Sequence, residues 1–118
     1  MTRLTMIYPV ASSLETVALF CLKIAYEAEG QSPILRDDLI MSDYHFDLFE
    51  LLLGRGDVEA IQQKIQECLR LALSALGGTD KPLGRELDRV SVDFRSARTV
   101  EGLDRTLIAI SDYLKAIH

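Results

Sequence analysis

Val58, Ile61, Ile65, Cys68, Ala72 and Ala75 recur at spacings of three and four, the period at which an α-helix returns to one face. Glu59, Gln62, Gln63, Gln66 and Glu67 fill the other faces, so this segment reads as a helix with one apolar stripe. Val100, Leu103, Leu107, Ile110, Leu114 and Ile117 repeat the pattern, with Thr99 placed as a cap and Glu101 and Arg105 as an i,i+4 pair outside. Leu83, Leu87, Val90 and Phe94 form a third stripe. Residues 90–94 also alternate with period two, but a lone strand would find no partner in this chain, and helix is expected there. One-sided helices must bury their stripes against other helices. The expected fold class is therefore all-α: a compact bundle of about five helices with an irregular apolar N-terminal arm, forming one domain over residues 1–118 with the arm at 1–11.

Turn and cap residues divide the chain. Ser12-Ser-Leu-Glu15 has the spacing of a capping box, so the first helix is expected from near Ser12 to about Glu29, closed by Gly30. Pro9 biases Tyr8 away from helical dihedrals, which leaves residues 4–10 extended or irregular. Residues 31–35, containing Pro33, read as a linker, and residues 36–41 add a short helical turn. Ser42 is placed to cap a helix over 43–53, and Gly54-Arg-Gly-Asp57 stops it and caps the next. Gly77-Gly78 ends the third helix; Thr79 or Asp80 caps the fourth, and Pro82 suits its first turn.

Composition narrows the function classes. With 118 residues and 48% hydrophobic content, such a chain can bury roughly two-thirds of its unfolded surface without disulfide or metal support. A net charge of −5, from 13 bases and 18 acids, opposes general affinity for nucleic acid or anionic membrane. Arg85, Arg89, Arg95, Arg98 and Arg105 are interleaved with Glu86, Asp88, Asp93, Glu101 and Asp104, which cancels the field a phosphate backbone needs. Cys21 and Cys68 lie in apolar helical runs with no CxxC or metal-ligand spacing, and are expected as free, buried thiols. The N-terminal residues faintly imitate a signal peptide, but Pro9 interrupts them and no small-x-small cleavage site follows. The longest apolar run, 17–22, is shorter than a membrane span and is closed by Lys23. A cytoplasmic protein without membrane or nucleic-acid partners is expected.

No sequence pattern points to catalysis or a cofactor. There is no GxxxxGK[ST] or GxGxxG pattern, and the RGD letters at 55–57 read as turn chemistry. His45 and His118 are the two histidines, and neither stands in a recognisable triad context. Asp43, Asp47 and Glu50 share a helical face near His45, which defines the alternative reading: a carboxylate-cluster metal-binding or enzymatic helical bundle. All three acids come from one helix and lack the matched acid-x-x-His partner of di-metal bundles, so no metal and no cofactor are expected.

What stands out instead is apolar surface. The first helix carries Val17, Ala18, Cys21 and Ala25 on one face and Leu19, Leu22 and Tyr26 on another, leaving Glu15, Lys23 and Glu27 as a narrow polar strip. The second packs Tyr44, Phe46, Leu48, Phe49, Leu51, Leu52 and Leu53 into a few turns. Helices apolar nearly all round need cover on several sides. Either one of them is central, or one surface is intermolecular; the latter is expected, with a homodimer and a regulatory protein as partners. Ile7, Tyr8, Phe46, Phe49 and Leu52 are the expected partner-binding residues, supported by acids at 37, 38, 43, 47 and 50 that could steer a basic partner.

The layout of a short acidic chain, helices only, apolar helices and no catalytic motif resembles the small helical antiactivators by which bacteria restrain LuxR-type quorum-sensing regulators. That resemblance implies a non-enzymatic regulator that inhibits by occupying a transcriptional regulator's dimerisation or ligand-domain surface. A structural accessory subunit of a larger complex has the same sequence character.

Overall fold

A computed structural model describes the backbone of residues 2–30 and 36–117, and the side chains of residues 7–30 and 45–117. Five helices follow in order: α1 (Thr2–Ala28), α2 (Arg36–Arg55), α3 (Val58–Ala75), α4 (Pro82–Ser96) and α5 (Val100–Ile117), with a short 3₁₀ turn, Gly78–Asp80, before α4. No strand occurs among the described residues, and 90–94 lie inside α4. The all-α bundle of about five helices is what the periodicities required.

α1 organises the rest. Val10, Ala11, Leu14, Val17, Ala18, Cys21 and Ile24 repeat at three and four and are all buried, with Ile7 half-buried at the head of the same stripe. α2, α3 and α5 each pack along α1, while α4 sits against α5 and α3. At ~1.5 Å per residue, the 27 residues of α1 account for most of the molecule's 44 Å long axis. The face carrying Val17, Ala18 and Cys21 is therefore covered by the chain's own helices, with Leu22 beside it, while Leu19, Ala25 and Tyr26 remain partly exposed.

The expected irregular arm is corrected. α1 begins at Thr2, ten residues before Ser12, and passes through Pro9 without stopping. Proline removes the N–H that would reach the Thr5 carbonyl and costs about 3 kcal/mol in a helix interior. Burying large apolar side chains returns ~1.5–3 kcal/mol each, and Ile7, Val10, Ala11 and Leu14 carry the core stripe straight across the proline. Ser13 Oγ donates to the Pro9 carbonyl at 3.0 Å, and Thr16 Oγ1 to the Ser12 carbonyl at 2.9 Å. Ser12 is thus interior, and the capping-box spacing is not used. The segment Ile7–Ala28 is also long and apolar enough, at a mean hydropathy of 1.4, to cross a membrane by composition alone; a third of it is buried, with α2, α3 and α5 packed along it.

Glycines set the helix ends, with one shift from expectation. Gly30 closes α1 at φ +76°. α2 runs unbroken through Ser42 and Gly54, and Gly56 at φ +68° ends it. The Asp57 N–H reaches the Leu52 carbonyl and the Gly56 N–H the Leu53 carbonyl, both at 3.0 Å, the paired bonds of a Schellman motif. Asp57 then caps α3, its Oδ1 accepting from the Ala60 N–H at 3.1 Å. Thr99 caps α5 as expected, accepting from the Gly102 N–H at 3.0 Å. Thr79 and Asp80 instead occupy the 3₁₀ turn, and Lys81 precedes Pro82 at the start of α4 with no side-chain cap.

Two contacts tie α4 to its neighbours. Gln62, expected on the solvated face of α3, is buried, and its Nε2 donates to the carbonyls of Phe94, at 3.0 Å, and Ala97. It thereby adds a side-chain donor to the carbonyls at the end of α4, where the Phe94 carbonyl also accepts from the Ala97 N–H at 3.3 Å. At the other end, the backbone of Gly84 lies on the Gly78 turn; a Cβ there would stand 2.0 Å from the Gly78 carbonyl oxygen. Tyr113 on α5 adds a third tie, its hydroxyl donating to the Leu83 carbonyl at 2.7 Å.

Gly84→Ala must push backbone from backbone and should cost about 1–3 kcal/mol in urea unfolding. Gly54→Ala, in a helix interior with nothing within 4 Å of the new methyl, should add about 0.4–1 kcal/mol. Cys21 and Cys68 are free and buried, and burial pushes both thiols upward, Cys21 further through the nearby Cys68. Unfolded thiols ionise near ~8.5 while burial raises the folded ones above that, so above that pH the unfolded state binds fewer protons. Stability should fall as pH rises, by up to about 1.4 kcal/mol per pH unit for each thiol. Cys21→Ala should flatten that slope between about pH 8.5 and 10 in denaturant titrations; an unchanged slope would refute the assignment.

Candidate partner-binding surface

The five residues expected to form one contact surface divide into core and surface. Phe49, at 0% exposure, and Leu52 belong to the core cluster with Leu53. The side of α2 on which they stand faces the bundle, so the chain itself covers the surface they were expected to offer. Ile7 and Phe46 are half-buried and pack against the core, whereas Tyr8 is 67% exposed. Phe49 and Leu52 are thereby corrected to core positions.

Tyr8 and Phe46 meet edge to face, ring centroids 5.3 Å apart at 65°, a geometry favoured by aromatic quadrupoles. α1 presents Tyr8 because residue 8 follows the core position Ile7 and so points away from the stripe. α2 presents Phe46 at the margin between buried His45 and exposed Asp47. Tyr8, Ser12, Glu15, Phe46 and Asp47 together line a shallow recess between the two helices. Glu50 stands exposed one turn along α2 from Asp47. Ile7 opens instead toward a different recess at the end of the bundle, with Leu53, Gly56, Val58 and the start of α5.

The residues of the alternative metal or catalytic reading do not converge. His45 is 1% exposed and stacks on Phe49 inside the bundle, centroids 6.1 Å apart. Asp47 and Glu50 face solvent. The side chain of Asp43 and residue His118 lie outside the described residues, as do the side chains of Asp37 and Asp38. Among the described residues, no group of three or more His, Cys, Asp or Glu could hold a metal ion. Two of the three arginines of α4 are matched by acids on the same helix, while Arg85 Nε donates to the Thr79 carbonyl at 3.2 Å. Arg89 pairs with Glu86, whose carboxyl is held below its ordinary range by that hydrogen bond, and Arg95 bonds Asp88 at 3.0 Å.

Comparison of the chain with protein-family models, curated proteins and solved structures finds no match.

Residues outside the expected set also reach the surface. Leu51 on α2, Leu71 on α3, Leu83 and Val92 on α4 and Ile108 on α5 are each about half exposed or more. Leu83 was assigned to the α4 stripe, but the buried positions there are Gly84, Leu87, Ser91 and Phe94. The small side chains at 84 and 91 turn the helix by allowing close approach, a signal that a count of large apolar residues overlooks. On α1 the readable signal was the stripe itself: counting back from Leu14 by three and four reaches Ala11, Val10 and Ile7.

The division between core and surface on α2 is testable. Phe49→Ala should cost about 3–5 kcal/mol, the range of buried aromatic truncations, and Phe49→Asp should abolish cooperative unfolding. Phe46→Ala should cost less than half as much as Phe49→Ala in the same denaturant titration; equal losses would place Phe46 in the core as well.

Proposed function

We propose that this chain is a cytoplasmic regulatory protein without chemistry of its own, which acts by docking the Tyr8–Phe46 recess onto a partner protein. The observation that carries this reading is the exposure of Tyr8, held edge-on by Phe46 on the central helix of the bundle. Tyrosine is a common anchor of protein interfaces, because it offers a large rigid area with a polar tip at small entropic cost. An aromatic pair braced by a packed core is ordered before binding, which reduces the loss on association. The two buried thiols are poor nucleophiles, since burial opposes the thiolate form.

Inhibition of a transcriptional regulator by covering its dimerisation or ligand-domain surface, in the manner of the antiactivators, is the specific form of this reading. A homodimer belongs to the same proposal, with Leu71, Leu83, Val92 and Ile108 leaving apolar area outside the recess. Partner capture from the native host, followed by mass spectrometry, provides the binding assay. Tyr8→Ala should leave the unfolding free energy within about 0.5 kcal/mol of wild type, and should weaken capture by about tenfold or more. Capture that survives both Tyr8→Ala and Phe46→Ala would overturn the proposal.

A further inference from the structure

We infer that the groove between α3 and α4 is a binding site for a small amphipathic anion, its apolar chain on a leucine floor and its head group on Arg70. The site does not depend on docking at the Tyr8–Phe46 recess, with which it shares no residue. Its origin lies in how the two helices are pinned. Gln62 holds the end of α4 through the Phe94 and Ala97 carbonyls, and Gly84 rests on the Gly78 turn at the other end. Between the pins α4 offers α3 only the small, buried Ser91, so the side chains do not meet. A recess of about 360 Å³ remains, floored by Leu69, Leu73 and Leu87. That volume is at the lower end of small-ligand sites, ~300–1,000 Å³, and suits one short chain of carbons better than a helix of a partner.

The rim supplies the sign. On the α4 wall Asp88 is engaged by Arg95 at 3.0 Å. On the α3 wall stands Arg70, which makes no ion pair or hydrogen bond among the described residues. The groove therefore carries one guanidinium beyond its paired charges, beside an apolar floor. Guanidinium presents a planar fork of donors that matches a carboxylate or phosphate, and Gln66 on the same wall adds a neutral amide. The Ser91 hydroxyl donates to the Leu87 carbonyl at 2.7 Å, so the buried polar atom of the floor is satisfied within α4 and asks nothing of the chain that lies on it. Arg70 is exposed, and a pair in solvent adds little affinity. Burial of the chain thus supplies most of the binding, and Arg70 chooses the head group.

The test titrates the full-length protein at neutral pH with octanoate, octanol, octylammonium and acetate, following NMR shifts of the protein. Octanoate should perturb Leu69, Leu73, Leu87 and Ser91, and should bind about threefold or more tightly than octanol. Octylammonium should bind most weakly of the three. The chain's net charge of −5 by itself favours that cation, so a preference for the anion isolates the local contribution of Arg70. Acetate, which has the head without the chain, should leave the leucines unshifted. Raising salt from about 50 to about 300 mM should narrow the gap between octanoate and octanol. Arg70→Gln, at an exposed position, should keep the helical spectrum and the octanol affinity while bringing octanoate down to it. Ser91→Val, which fills the floor, should weaken all three chains; should that variant fail to fold, the Arg70→Gln comparison decides alone. Octanoate and octanol binding alike, octylammonium binding tightest, shifts confined to other surfaces, or a preference untouched by Arg70→Gln would overturn the inference. A leucine-rich acidic peptide that shifts the same residues where octanoate does not would overturn it in favour of a protein occupant.

Discussion

Burial of the α1 stripe is the interaction on which the other elements depend. α2, α3 and α5 each contribute an apolar face to that helix, and α4 is placed only through α3 and α5. The stripe is continuous from Ile7 to Ile24, so the core has no break at Pro9. A helix interior proline is tolerated here because the hydrogen bond it removes lies on one turn, whereas the burial it would forfeit by stopping the helix spans two. Ser13 and Thr16 return their hydroxyls to nearby backbone carbonyls, keeping polar side chains satisfied close to a buried face.

Around that stripe, single polar and small residues fix where the outer helices lie. Hydrophobic burial has no direction of its own, so position comes from contacts that do. Gln62 does this at one end of the α3–α4 pair, where its amide can satisfy carbonyls only if α4 ends beside it. Gly84 does it at the other, where only the absence of a side chain allows helix backbone to rest on the Gly78 turn. Tyr113 links α5 to the first turn of α4 through one short hydrogen bond. These three contacts lie outside the main apolar cluster and hold the register of the helices that form it.

The all-α class, the α3 and α5 boundaries and the Asp57 and Thr99 caps were legible because each rests on local pattern: stripe period, cap residue or glycine turn. The start of α1 was not, because local signals at Ser12 and Pro9 opposed a tertiary one, and burial outweighed them. Gly54 and Gly56 look alike in sequence, yet only the second adopts positive φ, a choice made by where Asp57 must stand to cap α3. Gln62 could not be identified either, since its partners are 32 and 35 residues away. Of the expected contact residues, Phe46 and Phe49 differ by less than one turn, and hydrophobicity alone cannot say which lies at the centre of a buried face and which at its edge.

That distinction changes what apolar content means in a small chain. Two helices with several greasy faces suggested more surface than one molecule could hide; the chain covers the stripe of α1 from Ile7 to Ile24, while Leu19, Phe20 and Tyr26 on that helix stay partly exposed and Leu51 on α2 stays half exposed. Tyr8 is exposed although its neighbours Ile7, Val10 and Ala11 contribute to the core, and Phe46 braces it from another helix. Scattered exposed leucines are ordinary on any protein surface. An exposed aromatic anchored by a second ring and bordered by carboxylates has both an area and a sign, and sign is what separates one class of partner from another. An apolar patch alone would accept a second copy as readily as a stranger. Partner choice at such a place is set by the charge of its border as much as by its apolar area.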